Sequence, residues 1–154
     1  MILISACLAG NPCRYDGTDC KENRLSMLVE EGKAAFVCPE VLGGLPTPRE
    51  PAEIQGGNGE DVLAGRAKVI DKTGKDVTDM FIKGAYKALE VANSMNATQI
   101  VLKENSPSCG SMNIYNGKFT GEKMAGIGVT AALLRKHGFT VLSEHELDKL
   151  SELH

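Results

Sequence analysis

Met1-Ile2-Leu3-Ile4-Ser5-Ala6-Cys7-Leu8-Ala9-Gly10-Asn11-Pro12-Cys13 is the stretch on which the fold turns. Its first six residues form a short apolar run, suited to a buried strand. Gly10, Asn11 and Pro12 then break any regular element, and Asp16-Gly17 continues the loop. The run has no basic segment ahead of it and passes straight into this loop. It therefore reads as a first strand and not as a secretory leader.

The same succession of strand and loop recurs along the chain. A helix is expected over about Glu22–Glu31, with Leu25, Leu28 and Val29 on one face and Gly32 as its stop. Ala34–Cys38 reads as a second strand. The following stretch, Pro39 to Pro51, holds four prolines, which forbid a regular central element. Gln55–Gly59 is polar and glycine-rich, the pattern of a mobile loop. Ala67–Asp71 reads as a short strand or edge piece before a turn at Lys72–Lys75.

Thr78–Met95 is the clearest helix, with Phe81, Ala85, Ala88, Leu89, Ala92 and Met95 on one apolar face. Thr78 is placed to cap it and Asn96 to stop it. Gln99–Lys103 is a third strand, opening into Glu104-Asn105-Ser106-Pro107-Ser108-Cys109-Gly110-Ser111. A helix over Val129–His137 ends at Gly138, and a strand follows over Thr140–Leu142. Ser143-x-x-Glu146 is a capping-box pattern that starts a terminal helix. Strands alternating with helices imply a mostly parallel sheet with helices on both faces, a Rossmann-like α/β fold. No second domain is visible, so residues 1–154 are expected to form one.

The 154 residues can bury a sizeable core. Hydrophobic residues are 42%, charged residues 24% and aromatics 5%, with no Trp, so the core must rest on Leu, Ile, Val, Ala and Met. A net charge of −3 argues against a broad electrostatic grip on nucleic acid. No run of about 18 apolar residues exists to span a membrane. A cytoplasmic chain is expected, where thiols stay reduced. The five cysteines then read as chemical groups, and their odd number weakens a disulfide framework further.

In open α/β sheets, sites gather beyond the carboxyl ends of the strands. Cys7 follows the first strand, Cys38 closes the second, and Cys109 lies in the loop after the third. Three cysteines distant in sequence thus fall at one end of one sheet, where they can hold a metal centre. A single buried Cys can equally be a small hydrophobe; three at strand ends are harder to read that way. His137, His145 and His154 all lie in or after the last helices, and no CxxC pair exists. Three thiolates suit zinc with an open position, or a [4Fe–4S] cluster with one iron lacking a protein ligand. Spacing does not choose between them.

Other polar groups share this rim. Glu40 lies two positions past Cys38 and can act as acid or base, or simply pair with Arg49. Ser106 and Ser108 can donate to a substrate or satisfy local backbone groups. Arg14 and Asp16 fit a substrate contact or a plain Asp-Gly turn. Gly126 and Gly128 precede a helix whose N-terminus can take an anion, or they form a tight turn. Cys20 lies in a polar stretch with no such context.

Three motifs occur in order: Ser5-Ala6-Cys7-Leu8-Ala9-Gly10 with Cys13-Arg14-Tyr15-Asp16-Gly17; Cys38-Pro39-Glu40 leading to Gly43-Gly44-Leu45-Pro46-Thr47-Pro48-Arg49; and Ser106-Pro107-Ser108-Cys109-Gly110. Together they resemble the DUF523 family, which includes the thiouracil desulfidases, and the resemblance covers nearly the whole chain. It implies a [4Fe–4S] cluster held by Cys7, Cys38 and Cys109, with a fourth iron free for the sulfur of a small thiolated base such as 2-thiouracil. It implies Glu40 and Ser106 as catalytic groups, and non-redox cleavage giving uracil and hydrogen sulfide. Cys13 falls outside the implied ligand set, as bystander, alternative ligand or sulfur-handling thiol. A non-catalytic metal or Fe–S module and a zinc-dependent hydrolase are the competing readings. Neither the physiological substrate nor the oligomeric state is written in the sequence.

Overall fold

A computed structural model describes residues 1–150. Its centre is a four-stranded parallel sheet in the order β2-β1-β5-β8, made of β1 (Ile2–Ser5), β2 (Ala34–Val37), β5 (Gln99–Leu102) and β8 (Val141–Ser143). Ile2, Leu3 and Ile4 of the inner strand β1 are fully buried. Burial of such a side chain contributes about 1.5–3 kcal/mol, so an inner parallel strand reads as a continuous apolar run.

Alternate residues of the sheet face two cores. Leu3, Ile100, Leu102 and Val141 pack with Phe81, Ala85, Ala88 and Ala92 of α4 (Thr78–Ser94) and with Ala131 and Leu134 of α5 (Val129–Lys136). Ile2, Ile4, Val101 and Leu142 pack with Leu25 and Leu28 of α1 (Asn23–Glu30) and with Leu147 and Leu150. The expected α/β architecture, with helices on both faces, is therefore present.

Several local readings need correction. The proline-rich segment does form a regular element, the single turn α2 (Pro39–Leu42), because Pro39 sits at its first position, where a missing N–H costs nothing. Gln55–Gly59 is not one loop: Gln55 ends β3 (Ala52–Gln55) and Gly59 opens α3 (Gly59–Leu63), whose Asn58 and Asp61 form a reciprocal capping box. β3 pairs antiparallel with β4 (Lys68–Asp71), outside the main sheet. A second hairpin, β6 (Asn113–Tyr115) with β7 (Lys123–Ala125), has no counterpart in the sequence reading.

Thr78 opens α4 but does not cap it. Its hydroxyl accepts the N–H of Val69 at 2.9 Å, while Asp76 Oδ1 accepts the N–H of Thr78 at 2.9 Å. Asn96 does stop the helix, in the left-handed region at φ 52°. The Ser143–Glu146 capping box forms as expected, but it opens a 3-10 segment, Glu144–Lys149, and not an α-helix. His154 lies outside the described residues.

Candidate active site

Strands β2, β1 and β5 are neighbours in the sheet, and their carboxyl ends deliver the three predicted cysteines to one cavity of about 520 Å³. A 3-10 turn over Ala6–Ala9 carries Cys7 and closes at Gly10, whose φ of 98° suits glycine. Cys38 is the residue between β2 and α2. Cys109 lies in the loop after β5. Cys13 borders the same cavity, so the structure brings a fourth thiol to the three; Cys20 is not among the lining residues. All five cysteines are free, and Cys7, Cys13 and Cys109 are buried.

Crowding and burial act on these thiols together. Cys38 lies beside Cys13, with its Sγ 3.8 Å from the Cys13 carbonyl oxygen. Cys38 lowers the Cys13 pKa, but Cys7 and burial outweigh it and push the thiol up to about 11. The neighbouring Cys13 and burial push the Cys38 thiol up as well. Burial, against weaker help from Ser5 and Ser108, pushes Cys109 up to about 12. Metal ligation reverses this order, because a bound cation deprotonates a coordinating thiol.

The carboxylate and hydroxyl expected beside the thiols are joined to each other. Ser106 Oγ donates to Glu40 Oε1 at 3.3 Å and accepts the N–H groups of Ser108 and Cys109, each at 3.1 Å. The other oxygen of Glu40 takes Nε and Nη2 of Arg49. Of the two readings of Glu40, the pairing with Arg49 is present, and the pair borders the thiol-lined cavity.

The loop carrying Ser106 and Cys109 is itself held from inside. Glu104, 5% exposed, accepts the backbone N–H groups of Ser111, Met112 and Asn113 at 2.9–3.1 Å and that of Asn105 at 3.3 Å. Its position directly after a strand was the only sequence signal for this role. The N-terminus of α5 closes the loop from the other side. Val129 and Thr130 donate to the carbonyls of Pro107 and Ser108 at 2.8 and 2.9 Å. Those N–H groups are consumed, so the helix start is not an anion site. A Cβ on Gly128 would come within 2.5 Å of the Ser108 carbonyl oxygen, so close packing explains this glycine. Arg14 and Asp16 form the plain turn: Gly17 N–H reaches the Arg14 carbonyl, and Asp16 Oδ1 accepts the N–H of Thr18. Arg14 still borders the cavity, its guanidinium 5.9 Å from the Tyr15 ring centre. His137 and His145 are exposed.

Fold and site together define a class: a small parallel-sheet domain with a thiol-lined cleft at the sheet's carboxyl edge and a carboxylate–serine pair on its rim. The chain belongs to the 2-thiouracil desulfurase family, whose model matches residues 2–146. It is 55% identical over 150 residues to YbbK of Bacillus subtilis (strain 168), an uncharacterised protein, covering 97% of this chain and 99% of that one. It is also similar to the solved structure of the [4Fe-4S]-dependent thiouracil desulfidase TudS (DUF523Vcz). That match has a TM-score of 0.87 and 48% identity, and covers 99% of this chain and 95% of the other.

Proposed function

We propose that this protein is an iron–sulfur-dependent desulfidase that removes sulfur from a thiolated pyrimidine such as 2-thiouracil, giving uracil and hydrogen sulfide. One observation carries the reading: Cys7, Cys38 and Cys109 all line the cavity that the Glu40–Ser106 pair also lines. Family membership and the 48% identity to TudS point the same way.

The residues fit a [4Fe–4S] cluster. The three donors are soft thiols on three segments, so each can serve a different iron. Held by Cys7, Cys38 and Cys109, such a cluster would supply Lewis acidity toward a soft sulfur ligand. Ser106 and Glu40 handle the proton. The serine hydroxyl, held by two backbone N–H groups, directs its one proton at Glu40 Oε1, the oxygen placed to serve the water that replaces sulfur. The substrate is a small molecule, in keeping with the chain's acidic net charge, and the setting is the cytoplasm. No described helix is long and apolar enough to cross a membrane.

The test is Glu40→Gln against the single Cys→Ser variants. Each of C7S, C38S and C109S is expected to lose iron after anaerobic reconstitution. E40Q should keep iron and cluster absorbance while turnover of 2-thiouracil falls by about 10²-fold or more. Wild-type turnover in a loaded E40Q enzyme removes Glu40 from the reaction.

A further inference from the structure

Arg49 is 7% exposed at its side chain, and nearly every donor it has is committed. Nη1 reaches the Pro46 carbonyl and Thr47 Oγ1, each at 3.1 Å, while Nε and Nη2 both turn to Glu40 Oε2. Its backbone N–H is tied to the Tyr15 carbonyl. The guanidinium is therefore fixed in its loop before it grips the carboxylate. Filling Oε2 with two N–H donors leaves Oε1 as the oxygen facing Ser106. Ser106 Oγ accepts two backbone N–H bonds, which occupy both of its lone pairs and aim its single proton at Oε1.

We infer that Arg49 is a positioning residue that commits Oε1 of Glu40, and the proton it shares with Ser106, to the reaction. The inference rests on the desulfidase reading and on Glu40 acting in it. Arg49 touches Glu40 through two bonds to one oxygen, and a lysine, with a single charge centre and no planar fork, does not reproduce that grip. An Arg49 acting through Glu40 has nothing left to do once Glu40 is disabled. A merely structural Arg49 continues to matter in that background.

A double-mutant cycle separates the two. The enzymes are wild type, E40Q, R49Q and E40Q/R49Q, reconstituted anaerobically and compared for iron content, cluster absorbance, kcat and KM on 2-thiouracil. R49A and E40Q/R49A are added, with and without millimolar guanidinium, and R49K tests the fork. R49Q is expected to keep its iron, to lose about 10²-fold in kcat, and to shift KM by less than about threefold. R49K should stay close to R49Q. E40Q/R49Q should be no slower than E40Q. Guanidinium should restore R49A by about tenfold or more and leave E40Q/R49A unmoved.

Additive losses in the double variant overturn the inference. So does a loaded R49Q with wild-type kcat, or a loss confined to KM. An R49A that loses iron and regains neither iron nor turnover with guanidinium makes Arg49 structural and overturns it as well. A fast E40Q removes the underlying reading of Glu40, whereas a slow E40Q beside a fast R49Q overturns the Arg49 inference alone.

Discussion

Glu104 shows how one buried charge can order the loop that carries Ser106 and Cys109. Its carboxylate accepts four backbone N–H groups, and removing it takes the partner from the buried Ser111 N–H and from three part-buried ones. Glu104→Ala should therefore cost about 3 kcal/mol, read as a fall in Tm of about 6–12 °C. Burial works against the charge, but the N–H groups of Met112, Asn113, Asn105 and Ser111 outweigh it and hold the carboxyl below the usual Glu range. A depressed folded pKa stabilises fully above the ordinary Glu value of about 4.3 and is lost as pH falls through the folded value. The Tm advantage of wild type over E104Q should shrink between pH 7 and pH 3; a constant gap contradicts this. Cys7, Cys38 and Cys109 were legible because strand ends point to them. Glu104 was not, because all but one of its backbone partners lie seven to nine positions on, brought back by the loop's own path. Cys13 was legible only as a residue with several possible roles, since its place in the cavity depends on how the Gly10–Gly17 loop folds.

Two glycines seat α2, and with it Cys38 and Glu40, on the long helix α4. A Cβ on Gly84 would collide with the Pro39 carbonyl oxygen, and one on Gly43 with the Met80 carbonyl oxygen. Helix propensity alone favours Gly84→Ala by about 1 kcal/mol. Overpacking against backbone costs about 1–3 kcal/mol, so the collision should win. G84A is expected to lower Tm and to reduce iron loading by displacing Cys38; a higher Tm with full iron contradicts the seating role. The elements read correctly are those with a long apolar period or a continuous apolar run, such as β1, β5, α4 and α5. Those missed, α2, α3, β3, β6 and β7, span three to five residues. No period can build in so few positions, and their partners lie in distant segments.

The cavity exists only because the whole sheet is parallel, which puts the ends of β2, β1 and β5 on one edge. The alternation of strands and helices made that edge predictable. The hairpins beyond it, β3–β4 and β6–β7, were not, because nothing local signals which loops pair. A cluster bound there ties three separate segments together. Loading should raise Tm over the metal-free chain by several degrees, since binding to the folded state alone adds about 2.7 kcal/mol at a hundredfold excess over Kd. An unchanged Tm with iron bound contradicts three-segment ligation. The central claim is tested most directly by anaerobically reconstituted wild-type protein, of measured iron and sulfide content, given 2-thiouracil. The account predicts uracil and free sulfide released in equal amounts over many turnovers. Fully loaded protein that releases neither contradicts it.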